Sequence, residues 1–176
     1  MPRLLAEAGI RFVVVEALPG SKIDGACLWL SPAAPVIAMS FRFDRIDNFW
    51  FVLRHELEHV LQRHGLTKPI LDVDMDGRTD EDVVEEERVA NAAAAAFAVP
   101  PNKLNDFIAR KAPFFADRDV LGFAATLGVH PGLVAGQLQH RTQRFTHFRN
   151  HLVKIRSIVA PGAMVDGWGD IAPVGL

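Results

Sequence analysis

The sequence predicts an α+β chain: a small three-stranded sheet packed on a mainly helical domain. Three observations lead there. Short β-branched and aromatic runs are confined to the first forty or so residues, a helical apolar period takes over from Asp47, and turn residues punctuate the chain throughout. Residues 3–9 read as the end of a helix stopped by Gly9. The three strands are Ile10 to Leu18, Ala26 to Leu30 and Val36 to Phe41, separated by Pro19-Gly20-Ser21, Asp24-Gly25, Ser31-Pro32 and Pro35.

From Asp47 to His64, the residues Phe49, Leu53, Leu57, Val60 and Leu61 form an apolar stripe, with Gly65 as the C′ stop. A turn-rich acidic loop covers 67–78. The next helix opens on Thr79-Asp80-Glu81-Asp82, a capping-box pattern whose acids suit the positive end of the helix dipole. It runs through alanines to Val99 and is ended by Pro100-Pro101. Shorter helices are expected at 102–111, 117–127, 132–141 and 145–156. Residues 1–160 thus read as one domain with a helical C-terminal part at 102–156, and 161–176 as an irregular tail.

At 176 residues the chain suffices for one domain with a real core. A formal charge of −2 offers no global attraction to nucleic acid or an anionic membrane. The charge is unevenly spread: nine carboxylates and one Arg lie between Asp72 and Glu87, whereas His140 to Arg156 holds five Lys/Arg, three His and no acid. The lone Cys27, in an apolar run, reads as a small buried hydrophobe in a reducing compartment. The first residues do not resemble a signal peptide, and no stretch approaches the roughly 20 apolar residues of a membrane span. A cytoplasmic protein is expected.

The chemistry is concentrated in His55-Glu56-Leu57-Glu58-His59. On a helix, His55 and His59 stand one above the other, about 6 Å apart, so both imidazoles reach one ion. Glu56, next in sequence to a ligand, lies beside the ion without binding it and takes a proton from water there. A catalytic zinc needs three protein ligands and an open position. Glu87 is the best third ligand, expected in the middle of the following helix. Asn91 is one turn further on, on the same face, placed to orient a ligand, and Ala90 and Ala94 allow close helix packing. The competing account of Glu85, Glu86 and Glu87 is a solvated acidic turn.

Two other signals carry less. Asp72-Val73-Asp74-Met75-Asp76-Gly77 imitates the start of an EF-hand, but position 12 is Val83 where a bidentate Glu belongs; a looser calcium loop is the residual reading. Val120 to Leu138 has the spacing of a helix-turn-helix, yet its second helix offers few side chains suited to base edges, so a helical hairpin packed on the core is expected. Phe49, Phe51, Trp29 and Trp50 read as core aromatics.

His55-Glu-Leu-Glu-His59, followed after a loop by Glu87-Arg-Val-Ala-Asn91 and an alanine-rich helix ending in Val99-Pro100, resembles the ImmA/IrrE family of metallopeptidases. Pro35-Val-Ile-Ala-Met39, Arg45-Ile-Asp-Asn-Phe-Trp-Phe51 and Leu127-Gly-Val-His-Pro131 through Leu138 resemble the branch fused to HigA-type antitoxin regulators. The resemblance covers nearly the whole chain. It implies a gluzincin-like site of two His and one Glu, and cleavage of a transcriptional repressor or antitoxin. The family's upstream DNA-binding domain has no counterpart in this sequence. Glu58 stands where the family usually has Gly or Ala, and the chain has no Tyr for an oxyanion, so that task falls to a His, an Arg, a backbone N–H or the metal itself, with His140, His147 and His151 among the candidates.

The expected function is therefore zinc-dependent hydrolysis of a peptide bond in a protein partner, with Mn2+ or Fe2+ as alternative ions and the substrate laid as a strand beside Val36–Met39. The rival is a non-hydrolytic, metal-containing regulatory or antitoxin-type module that binds a partner. Direct DNA binding by this chain is not expected.

Overall fold

The structure, a computed structural model, describes residues 1–15, 19–73, 75 and 84–161, together with the backbone of 170–171. It is α+β, with α1 (Pro2–Glu7), β1 (Arg11–Val14), β2 (Ile23–Ser31), β3 (Ala34–Met39), α2 (Ile46–Leu61), β4 (Ile70–Val73), α3 (Glu85–Ala98), α4 (Pro101–Lys111), α5 (Asp117–Leu127), α6 (Pro131–Thr142), a 3₁₀ turn at Arg149–His151, α7 (Arg156–Val159) and β5 (Asp170–Ile171). The sheet runs β4-β2-β3-β1-β5: four strands and the two-residue β5. β1 and β3 pair in parallel, and the other neighbours are antiparallel.

The three expected strands are present, but the sheet is larger than the sequence suggested. β4 lies inside the segment read as an acidic loop, and β5 inside the tail read as irregular; the rest of that tail is outside the described residues. β3 is hydrogen-bonded on both sides, by β2 and β1, so the strand expected to receive a substrate has no edge to offer.

One face of the sheet buries Phe12, Val14, Ile37 and Met39 against Phe49, Val52 and Leu53 of α2, with Leu5, Ile10, Phe41 and Ile155 closing the margins. Each side chain of this kind contributes about 1.5–3 kcal/mol when fully buried. The stripe on α2 is shifted from the expected one: Val52 belongs to it, whereas Leu61 is 68% exposed and Leu57 only partly covered. A second core joins α3 to α6 through Val99, Leu104, Phe107, Val120, Phe123, Val134 and Leu138, with Phe107 and Phe123 stacked at 4.4 Å.

Helices α4, α5 and α6 match the sequence reading within a residue. The expected helix 145–156 does not form as one element. α6 ends with Gln143 at φ +56°, Phe148 adopts φ +56°, and the Asp44 carboxylate accepts from the backbone N–H of Ile155 and Arg156 at 3.0 and 2.7 Å. Those side-chain to backbone bonds, made at Ile155 as it enters the core, replace the helical ladder. The chain bends by 117° between α5 and α6, and both helices pack on the core, as expected of this pair. Val134, Ala135 and Leu138 of α6 are buried, and α6 packs against α2. Among the described residues no single helix is long and apolar enough to cross a membrane.

Candidate metal centre

Helix α2 supplies His55, Glu56 and His59 from one turn and carries them into the interior, each 0% exposed. α3 lies along α2, and its residues Glu87, Ala90 and Ala94 are buried on the shared face. The alanines, at 0% and 4% exposure, leave no side chain between the helix axes. Glu87 therefore reaches the histidines, though from a different place than expected. Val84 is the N-cap in extended backbone and α3 begins at Glu85, so Glu87 sits in the first helical turn rather than mid-helix. Thr79 to Asp82, read as the capping box, lie outside the described residues.

The four donor groups of His55, His59, Asp72 and Glu87 lie within 4.8 Å of one another, all buried. His55 Nε2 and His59 Nε2 approach to 2.9 Å; His55 Nε2 is 3.4 Å from Asp72 Oδ2 and 3.5 Å from Glu87 Oε2, and His59 Nε2 is 3.4 Å from Glu87 Oε1. A tetrahedral zinc about 2.0–2.1 Å from each nitrogen or oxygen donor sets those donors about 3.3–3.4 Å apart. The three ring–carboxylate spacings lie within about 0.2 Å of that edge length, Glu87 presenting a different oxygen to each ring, and the ring–ring spacing is about 0.4 Å short of it.

The outer ring nitrogens are engaged elsewhere. His55 Nδ1 donates to Asn91 Oδ1 at 3.1 Å, which leaves its Nε2 as a lone pair when the ring is neutral. His59 Nδ1 is 3.1 Å from His64 Nδ1, and with His59 as the donor its Nε2 is likewise aimed inward. With both rings neutral, two inward lone pairs and two carboxylates form a buried donor group that could hold a metal ion.

In the absence of an ion the groups hold protons for one another. Burial lowers the His55 pKa, but hydrogen bonds and charge from Asp72 and Glu87 outweigh it and raise the pKa to about 9. Burial pushes the Glu87 carboxyl up, and hydrogen bonds from His55 and His59 hold it far below the usual carboxylate range. Glu56 is raised well above its ordinary value by burial first, and then by the charge of Asp72 and Glu87.

Glu56 is adjacent to this group and not part of it. Both its oxygens are buried, as are both of Asp72, with no hydrogen bond of good geometry; the His55 ring lies 3.4 Å from Asp72 Oδ2. Glu56 is seated against β2: a Cβ on Gly25 would lie 2.1 Å from Glu56 Oε1 and 3.0 Å from Val52 Cγ1. Gly25 is paired in register with Asp72, so one point of the sheet presents the backbone that Glu56 rests on and the carboxylate that faces His55.

Asp72 and His64 were missed by the sequence reading. Asp72 is the first residue of the EF-hand imitation; its side chain enters the histidine cluster, while Asp74, Asp76 and Gly77 lie outside the described residues. His64 reaches His59 because α2 stops at Leu61, earlier than Gly65. Arg63 then takes φ +58°, and His64 N–H folds back on the carbonyl of His59 at 2.8 Å. Gly65 has φ +79° and packs where a Cβ would meet the Cys27 carbonyl oxygen at 2.9 Å. The His64 carbonyl accepts from Trp29 Nε1 at 2.7 Å, which pins this turn to β2.

The remaining expected residues are elsewhere. Glu58 is held by Arg54 at 2.6 Å and Gln62 at 2.8 Å, which with Gln62 foremost lower its pKa and keep it out of the donor group. His140 stands against Phe145, His147 against Phe148, and His151 pairs with Asp117 at 3.0 Å; none joins the cluster. Cys27 is fully buried, its thiol pushed up to about 12 by burial, then by Glu56 and Asp72, as suits an inert packing residue.

Comparison with protein-family models finds no match, and neither curated proteins nor solved structures match the chain.

Proposed function

We propose that this chain is a zinc-dependent peptidase acting on a protein partner, with a transcriptional repressor or antitoxin as its substrate class. The observation that carries the reading is the convergence of His55 Nε2, His59 Nε2 and the Glu87 carboxylate, with a separate unpartnered carboxylate, Glu56, one residue along the same helix. The resemblance of these motifs to the ImmA/IrrE family supplies the substrate class, and Mn2+ or Fe2+ remain alternative ions.

His55, His59 and Glu87 would hold the ion. When bound, zinc acidifies a water and polarises a carbonyl. Glu56 accepts a proton from the attacking water and passes it to the leaving amine. Asn91 and His64 fix the ring orientations through the two Nδ1 atoms. The substrate strand belongs on β4, whose outer side has no partner strand among the described residues, rather than on β3.

A second reading, a non-hydrolytic metal-containing module that binds a regulatory partner, draws on the burial of the whole group and on the fourth donor, Asp72, because closed four-ligand sites are characteristic of structural zinc. DNA binding is not part of the proposal, since the inner face of α6 is committed to the core.

The test is a search for new protein N-termini in cells expressing the wild type or Glu56→Gln. Hydrolysis requires termini that arise with the wild type and vanish with the variant while both retain equal metal. Identical termini in both strains would contradict it.

A further inference from the structure

The donor group contains one carboxylate more than a hydrolytic centre needs. Asp72 reaches it from the sheet rather than from the helices, and its Oδ2 is as close to His55 Nε2, at 3.4 Å, as Glu87 is to His59. It is 0% exposed, and neither oxygen makes a hydrogen bond of good geometry. A carboxylate buried in this way is costly unless something positive faces it. The His55 ring faces it at 3.4 Å, and the point shared with the two Nε2 atoms and Glu87 is where one cation would face all four donors.

The placement of Asp72 is firmly built. β4 pairs with β2 in a register that sets Asp72 opposite Gly25, and just past the strand the Met75 N–H donates to Asp24 Oδ2 at 3.1 Å. Asp24 is itself clamped by Arg42 through two contacts of 2.9 Å. The strand is thus fixed on both sides of Asp72, and its carboxylate is a preorganised ligand rather than a passing neighbour.

We propose that Asp72 is a fourth protein ligand that fills the coordination position hydrolysis needs open, so that the centre folds in a closed, latent form. The inference rests on the metal reading above and specifies its regulation. In this conformation two imidazoles and two carboxylates would fill the coordination of a bound ion, and Asp72 would have to withdraw before water could be admitted. A substrate strand added to β4 acts on the element that carries the plug, which couples docking to opening.

The test uses cobalt in place of zinc, because its visible bands report coordination, with azide as a probe of an open position. Wild type, Asp72→Asn and Asp72→Ala are loaded with one equivalent of Co2+ and titrated with azide. Closure requires bands in the wild type that do not respond, and bands in both variants that shift as azide binds. It also requires at least about a tenfold loss of metal affinity in both variants, read by competition with a chromophoric chelator. Far-ultraviolet circular dichroism of both metal-free variants should match the wild type, and the nearly isosteric Asp72→Asn separates loss of a ligand from misfolding of the alanine variant. Azide binding to the wild type as readily as to the variants, or unchanged affinity, overturns closure and leaves the metal centre standing. Failure of the wild type itself to retain an equivalent of Co2+ or Zn2+ overturns the metal reading and closure with it.

Discussion

Gly25→Ala tests whether Glu56 lies where the structure places it. The strand backbone at Gly25 suits any residue, and alanine in a strand is intrinsically better than glycine by roughly 0.5–1 kcal/mol. The obstacle is space: the new methyl would sit 2.1 Å from Glu56 Oε1, 2.9 Å from its Cδ and 3.0 Å from Val52 Cγ1. Restoring ordinary contact at 3.4 Å needs a retreat of about 1.3 Å by a carboxylate that is 0% exposed, with Asp72 close by. Overpacking of this kind costs about 1–3 kcal/mol. For a chain of this size each kcal/mol lowers the melting temperature by about 2–4 °C. Calorimetry on Gly25→Ala, Glu56→Ala and the double variant reads the coupling directly. The loss should appear in the wild-type background and largely vanish once Glu56 is truncated. Metal affinity should hold, since no donor is touched. An equal loss in both backgrounds, or none in either, would refute the seating of Glu56 against β2.

Three further outcomes are expected. Asn91→Ala and His64→Ala should each weaken zinc binding about 10–100-fold in chelator competition, because each frees one ligand ring to turn. Glu58→Ala should leave zinc affinity within about twofold and lower stability by about 1 kcal/mol, its carboxylate being occupied by Arg54 and Gln62. In the metal-free protein, His55 binds its proton more tightly when folded. Its contribution is fully present below the unfolded value of 6.5 and is lost as pH rises through about 9. Glu56, also raised, acts in the same direction above its unfolded value of 4.5. The melting temperature of the metal-free protein should therefore fall between pH 7 and 9.5. Saturating zinc should flatten that fall, because binding replaces the His55 proton.

Much of this centre was legible in the chain because a helix converts spacing into geometry. The i,i+4 pairs His55/His59 and Glu87/Asn91 each fix two side chains on one face, and Ala90 and Ala94 mark where two helices can approach. The limits have physical causes too. Asp72 stands in a four-residue strand among other aspartates, and its inward direction is set by pairing with Gly25, a contact 47 positions away in sequence. His64 joins the site through an early helix end and a left-handed Arg63, which no periodicity signals. The helical pattern of 145–156 lost to Asp44, whose carboxylate takes backbone N–H groups more than a hundred residues distant. Local propensity yields where a tertiary partner satisfies the backbone better.

The central claim is that two imidazoles and a glutamate share one cation, and diffraction from crystals grown with zinc, measured on both sides of the zinc absorption edge, addresses it most directly. The account requires one strong anomalous peak per chain, about 2.0–2.2 Å from His55 Nε2, His59 Nε2 and a Glu87 oxygen. An empty map at that point, or zinc seated only at surface histidines such as His147, would contradict it.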